Sequence, residues 1–481
     1  MMQVLLVAAW VASALAAFGA ALAWSAARGR DGVSRAVALL VAVLGFAPLA
    51  WVAGHWFHLR WTLGDYDALV GLGGAGLAVH AIGLAALLRA ARRSGWGTAP
   101  VPWIGAALVG AALSLLLFGQ LDLRGRLLAA QLRLEGGELA RELLAPPARP
   151  EEDAWPLYKE LQAELAEVVA GRAWSADVRH LRSGDAIDLA DPALVERLEA
   201  AAPILDRARG ASLLADCDFA GRRSGGRDHW SESEGSPITA LALGGGWLLE
   251  GLAAAASDRT ELALEDVAAL LRLSEQAAAS PLLIDLMTGY ALRRDALQVL
   301  AAAAAEASDE QLAQLRDAWP GGLVPRAVDA MDMELAWSLS TFGLLGEGYT
   351  MADEPGHWSS EVDTSLYLAF RFGRDVAGYR AVMAACRELC AGTLADVARE
   401  RESGALARSA REQGVLAMIA VPNVSNQLWG LHQLDARMQL AAQALAALES
   451  DREAALVRGT WTADDPAWGD DPPVFELAGP R

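Results

Sequence analysis

Residues Ile238–Leu315, ITALALGGGWLLEGLAAAASDRTELALEDVAALLRLSEQAAASPLLIDLMTGYALRRDALQVLAAAAAEASDEQLAQL, decide the fold class of this 481-residue chain. Apolar residues recur here at three- and four-residue spacing, the signature of helices with one buried face. Short linkers separate the segments. Pro281 is expected to start one helix, and Ser308 with Gln311 forms a capping box that starts the next. The stretch therefore reads as consecutive antiparallel helices. Its hairpin Gly246–Gln276 has the small and aliphatic spacing of a tetratricopeptide-like unit, although no period of about 34 residues repeats cleanly.

The same pattern extends in both directions. Helices are expected over Asp153–Ala170, Leu194–Ala208 (kinked or broken at Pro203), Ala327–Leu345, Thr364–Ala391, Leu394–Gln413 and Leu431–Arg458. Pro320–Gly322, Glu347–Gly356 and Pro422–Asn423 supply breaks, and the polar stretch Cys217–Pro237 reads as a long loop. No stretch alternates as a strand at any length, apart from a short one expected at Val474–Leu477 in the Pro-, Asp- and Trp-rich tail 459–481. The fold class is all-α. Short linkers favour a stack of helical hairpins, α-solenoid-like, over a four-helix bundle for the soluble domain 151–458.

Composition bounds the function. Apolar residues make up 54% of the chain, enough to bury a core and to exclude wholesale disorder. Three cysteines exclude a disulfide-dense scaffold. A net charge of -20 argues against nucleic acid as a partner, because phosphate neutralisation supplies most of that affinity. The charge is segregated. Residues 1–121 carry seven Arg and three Asp, a net of +4, and the remainder carries a net of -24.

The first quarter reads as membrane. Windows of about 20 apolar residues suffice to cross a bilayer, and four are present: Val4–Trp24, Ala36–Trp56, Ala68–Leu88 and Val101–Gln120. Tryptophans 24, 51, 56, 61, 96 and 103 cluster near their ends, where indole favours the interface. Arg28, Arg30 and Arg35 follow the first span, and Arg89, Arg92 and Arg93 follow the third. Positive loops stay inside, so residues 122–481 are expected on the extracytoplasmic side of the cytoplasmic (inner) membrane. Arg124, Arg126 and Arg133 dilute that asymmetry. The run Ala12–Ala23 could hold a signal-peptidase site, but no Lys or Arg precedes it. Leu121–Leu144 continues the fourth span as a stalk, ended by Pro146, Pro147 and Pro150. Glycines and alanines at four-residue spacing in spans three and four offer faces for homo-oligomerisation, a spacing that an Ala- and Gly-rich composition also supplies by chance.

Several pieces resemble an uncharacterised group of membrane-anchored, all-helical extracytoplasmic proteins of planctomycete-type bacteria. They are AWPLY (Ala154–Tyr158), DCDF (Asp216–Phe219), ALEDVAALLRLSEQ (Ala263–Gln276), SPLLIDLMTGY (Ser280–Tyr290), SDEQLAQL (Ser308–Leu315) and Leu434–Leu448. The resemblance implies architecture and location and brings no activity with it. Four spans, rather than one anchor, depart from the group's pattern.

Signatures of catalysis are missing: there is no HExxH helix, GxSxG elbow, phosphate loop or CxxC pair. The one constellation with chemistry is Asp216, Asp218, Asp228 and His229, carboxylates and imidazole able to hold a divalent metal and activate water, with Arg222, Arg223 and Arg227 competing for the same carboxylates. His80 is the membrane-embedded ionisable group. It reads as a histidine hydrogen-bonded to a neighbouring helix, because His55 and His58 lie too far up their span to share a haem plane with it. Cys386 and Cys390, four apart on a helix, lack a third ligand, and a disulfide from Cys217 to one of them is permitted outside the cell. Trp358 beside His357 could stack on a sugar or pack edge-on. No cofactor is expected. The leading expectation is an extracytoplasmic scaffold that binds another protein. The alternatives are a membrane-tethered metal-dependent hydrolase using the Asp216–His229 loop, and a small transporter or sensor built on the spans.

Overall fold

The computed structural model describes residues 101–477 apart from 146–148, 170–171, 184, 186, 220–235, 318, 348–363, 366, 369–371, 415, 418–423 and 470–471. Spans one to three, His80, Asp228, His229, His357 and Trp358 lie outside the described residues. The described part is all-α, with 14 α-helices. They are α1 (Val101–Leu143), α2 (Trp155–Val168), α3 (Arg172–Arg182), α4 (Pro192–Ala211), α5 (Ser236–Ala256), α6 (Thr260–Ala278), α7 (Leu283–Ala303), α8 (Asp309–Asp317), α9 (Ala327–Leu344), α10 (Phe372–Cys390), α11 (Leu394–Ser403), α12 (Ala405–Gln413), α13 (Val424–Ser450) and α14 (Arg452–Arg458). One two-stranded antiparallel sheet closes the tail: β1 (Thr460–Thr462) pairs with β2 (Val474–Glu476), Trp461 opposite Phe475. The expected strand at Val474 is present, and its partner went unread because three residues are too few to show alternation.

Two compact units form, neither contiguous in sequence. One takes residues up to Glu135 with Leu339–Tyr379 and Gln413–Ala417; the other takes Gly136–Ser338, Arg380–Glu412 and Met418–Arg481. Helix α1 is continuous over Val101–Leu143, 43 residues. Arg126 on it donates to Asp122 Oδ2 at 2.9 Å and to Ser365 Oγ at 3.0 Å. Leu116, Leu123, Leu127 and Leu134 stay exposed along α1. The Tyr367 hydroxyl donates to the buried Asp375 at 3.1 Å.

The core of the second unit is α5, α6 and α7, each packed on the other two. Helix α5 is mostly apolar, and most of it is buried. Its stretch Pro237–Ala256 is long and apolar enough to cross a membrane, but 67% of it is buried inside the protein, so it serves as a core helix. Its Gly244, Gly245 and Gly246 face three different neighbours. A side chain at Gly245 would lie 2.8 Å from Val178 of α3, and one at Gly246 would lie 2.6 Å from Leu205 of α4. Helix α3 is further tied in by Arg182, whose guanidinium grips both oxygens of the fully buried Asp295 on α7.

Local signals set the boundaries. Ser308 and Gln311 make the expected capping box: Ser308 N–H donates to Gln311 Oε1 at 2.8 Å, and Gln311 N–H to Ser308 Oγ at 3.3 Å. Asp191 caps α4, whose first residue is Pro192. Other expectations are corrected. Helix α4 runs unbroken through Pro203; packing on α2 and α5 retains it. The expected helix Leu394–Gln413 is two, because Gly404 adopts φ +60° and ends α11. The segment expected as Leu431–Arg458 starts earlier, at Val424, and breaks where Asp451 caps α14. Pro281 precedes α7, which begins at Leu283, and α3 was not anticipated.

Close helix approach makes a specific demand at Gly289 of α7, where a Cβ would lie 2.9 Å from the Ser274 carbonyl oxygen and 3.1 Å from Ala278 Cβ. Gly430 of α13 meets nothing nearer than 3.6 Å, on the Tyr290 ring. Gly289→Ala is therefore expected to lower the melting temperature, at a cost of about 1–3 kcal/mol for forcing two backbones apart. Gly430→Ala is expected to raise it, by about 0.5–1 kcal/mol of helix propensity. Thermal unfolding of the two variants beside the parent checks both signs.

Candidate functional site

Three of the sequence pieces singled out above meet at the start of α2. A parallel bridge joins Asp153 to Asp216: Ala154 N–H donates to Asp216 O at 3.1 Å, and Asp216 N–H to Glu152 O at 3.1 Å. Asp153 Oδ1 accepts from Trp155 N–H at 3.0 Å and from Asp218 N–H at 2.8 Å. Trp155 packs on Phe219 with ring centroids 5.0 Å apart. The Tyr158 hydroxyl then donates to Gln276 Oε1 of α6 at 2.7 Å. Burial, reinforced by Cys217, holds the Tyr158 phenol well above its ordinary pKa. Asp216 and Asp218 thus belong to a clasp between two chain segments, with Asp218 buried. Among the described residues no group of three His, Cys, Asp or Glu is arranged to hold a metal ion.

Sequence reasoning did not find the groove that α4, α6 and α8 enclose, about 710 Å³ in volume. On α6 it is lined by Glu261, Leu264, Glu265, Ala268 and Arg272, spaced 3, 1, 3 and 4 apart and so on one face. Leu213 after α4, 66% exposed, and Leu315 of α8 add apolar wall. Glu310, Gln311 and Gln314 line it from α8. Among the described residues Glu261, Glu265 and Glu310 form no ion pair, and all three are exposed. Arg272 is half-buried. Its one hydrogen bond among the described residues is to Ser212 Oγ at 3.5 Å, Tyr158 stands next to it, and burial lowers its pKa.

Beneath one wall lies a saturated ion cluster. Arg209 of α4 donates to Glu250 Oε2 of α5 at 2.7 Å and also to Asp266 of α6 and to Asp206 one turn back. Asp266 is fully buried. Burial, with Glu250 adding to it, drives Asp266 well above the ordinary carboxylate range, and Arg209 opposes them. Burial likewise raises Glu250, again against Arg209. Burial by itself would lower Arg209, but Asp266, Glu250 and Asp206 outweigh it and hold the guanidinium above its ordinary value. This arginine is committed three times over, whereas Arg272 on the same groove is not.

A second buried cation, Arg293 of α7, bonds Ser274 Oγ at 3.2 Å, Gly321 O at 2.5 Å and Glu275, which Arg326 also holds at 2.5 Å. It staples α7 to α6 and to the turn after α8. The neighbouring cavity is smaller, about 320 Å³.

None of the three cysteines is in a disulfide; all three are buried, and the permitted pairing of Cys217 with Cys386 or Cys390 is not made. Cys217 stands by Tyr158, while Cys386 and Cys390 face inward from α10 near Glu400 and Asp332. Burial pushes both α10 thiols up to about 12. They are expected to resist a maleimide at pH 8 in the folded protein and to react once it is unfolded. Stoichiometric labelling of the folded chain at either position would contradict the packing.

The chain matches no known family, no curated protein and no solved structure.

Proposed function

We propose that this protein is a multi-pass inner-membrane anchor presenting an acidic, hairpin-stacked helical domain outside the cytoplasm, and that the domain binds another protein in the α4–α6–α8 groove. The observation that carries the reading is the groove itself. Of the charges that line it, Glu261, Glu265, Glu310 and Arg272 form no ion pair among the described residues, whereas Asp206 and Arg209 pair with each other and Arg209 also with Glu250 and Asp266. Helical stacks use such concave faces for recognition. The first-quarter hydropathy and the arginine-bearing loops support the anchoring and its direction. The resemblance to membrane-anchored extracytoplasmic proteins agrees with it. No nucleic acid is expected, given the acidic charge.

Two measurements test the proposal. An alkaline phosphatase fusion after Pro150 should be active, and a fusion in the Arg28–Arg35 loop inactive; the reverse refutes the topology. A photo-crosslinker at the exposed Leu213, activated in native membranes, should trap the same protein repeatedly, and the adduct should vanish in a Glu261→Arg, Glu265→Arg variant. Failure to trap any protein refutes the scaffold reading.

A further inference from the structure

The groove has a polarity that narrows what it can hold. Glu261 and Arg272 lie on the same face of α6, eleven residues apart, which is about 16 Å along the helix axis. Glu265 lies one turn along α6 from Glu261, and Glu310 of α8 lines the same groove; all three are exposed and form no ion pair among the described residues. At the other end lies Arg272, the one lining cation with no ion pair among the described residues, beside the Ser212 hydroxyl. Between the two ends α6 contributes Leu264 and Ala268; Leu213 and Leu315 add apolar lining, and the mutually paired Asp206 and Arg209, with Gln311 and Gln314, line the same groove. On α6 the groove stops at Arg272. One turn further, Gln276 is tied to Tyr158, and Tyr158 also stands next to Arg272.

A guanidinium is the preferred partner of a carboxylate, which it can grip with two parallel hydrogen bonds. A ligand entering along the groove meets this guanidinium where the path ends. An extended peptide rises about 3.3 Å per residue, so five residues cover the distance back to the acidic rim. We infer that the groove takes the C-terminal segment of a partner polypeptide, its α-carboxylate on Arg272, two or three apolar residues against Leu213, Leu264 and Leu315, and a lysine or arginine about four residues upstream among Glu261, Glu265 and Glu310. This rests on the protein-binding reading and specifies its ligand.

The test uses the full chain in detergent and the fluorescein-labelled pentapeptide Arg-Ala-Leu-Ala-Leu with a free carboxylate, read by fluorescence anisotropy. C-terminal amidation and Arg272→Gln are each expected to weaken binding at least about ten-fold, as loss of a charge-assisted hydrogen bond does. Combined, they should cost no more than either alone, because both remove the same contact. Arg272→Lys should recover part of the affinity. Glu261→Gln with Glu265→Gln, both at exposed positions, should weaken this peptide but leave a version beginning with alanine unchanged, and raising the salt should mimic that variant. Equal affinity for acid and amide, undiminished binding by Arg272→Gln, or no binding at millimolar peptide overturns the inference. Should Arg272→Gln fail to fold, the acid-to-amide comparison on the parent chain and the rim variant decide alone. If Leu213 cross-linking traps a partner while acid and amide bind alike, the scaffold reading stands and the carboxylate assignment falls. If the peptide binds as stated and no partner is trapped, the scaffold reading falls instead.

Discussion

Arg209→Leu is expected to destabilise the helical domain by about 3–5 kcal/mol at neutral pH, the usual cost of removing one partner from a buried ionic cluster. The substitution keeps most of the apolar stem but strands Asp266, fully buried on α6, against Glu250 on α5. Two like charges in a dry site then lack the cation they share. Acid relieves the defect. Both carboxylates already titrate above their ordinary values because of burial, and without Arg209 they rise further. A carboxylate whose pKa is raised in the folded state contributes stability that is fully present below its unfolded value, near 4, and lost as pH rises through the folded value. The gap between parent and variant should therefore narrow as pH falls from 7 towards 5. Asp266→Asn makes the complementary case. It deletes one of the titrating groups, so the parent should gain stability relative to this variant over the same acid interval. Urea unfolding followed by tryptophan fluorescence at several pH values reads both trends. A gap that is constant with pH would show that the cluster does not titrate as its burial requires.

The second large effect concerns Trp247, fully buried on α5, with its indole N–H donating to Leu205 O at 3.3 Å. Trp247→Ala is expected to cost about 3–5 kcal/mol, because the surrounding helices cannot close over the lost volume. Trp247→Phe should restore more than half of it, since the ring refills most of the space and only the carbonyl of Leu205 loses a donor. Denaturant midpoints of the three proteins test the order. If Trp247→Phe were as damaging as Trp247→Ala, the hydrogen bond rather than the volume would dominate, contrary to the packing around Gly246.

These two sites show why some features were legible beforehand and others were not. Helix type and many ends follow from short-range chemistry. The Ser308 and Gln311 box, proline at the first position of α4, and the three- and four-residue spacing of leucines act within one or two turns, so a linear reading finds them. The groove eluded that reading because its charges are ordinary on a helix surface. Glu265 and Asp266 are neighbours in one acidic dipeptide, yet Glu265 stays exposed and Asp266 is fully buried. Periodicity gives each helix an inner face and does not say what that face meets. Arg209 and Arg272 read alike as well. One is saturated by Asp206, Glu250 and Asp266, and the other faces a groove with a hydroxyl for company.

By its sequence alone the chain is helical, acidic after residue 121 and apolar before it, because those properties sum over local residues and need no knowledge of neighbours. The tertiary structure decided the rest. It made Pro237–Ala256 a core helix even though length and hydropathy would equally allow a membrane span, because three glycines let α3, α4 and α7 close in on it. It turned Asp216 and Asp218 towards a backbone clasp with Asp153. It left one arginine uncommitted at the end of a groove, a property of contacts between residues 60 and more positions apart, where the solvation of each charge depends on what folding brings beside it.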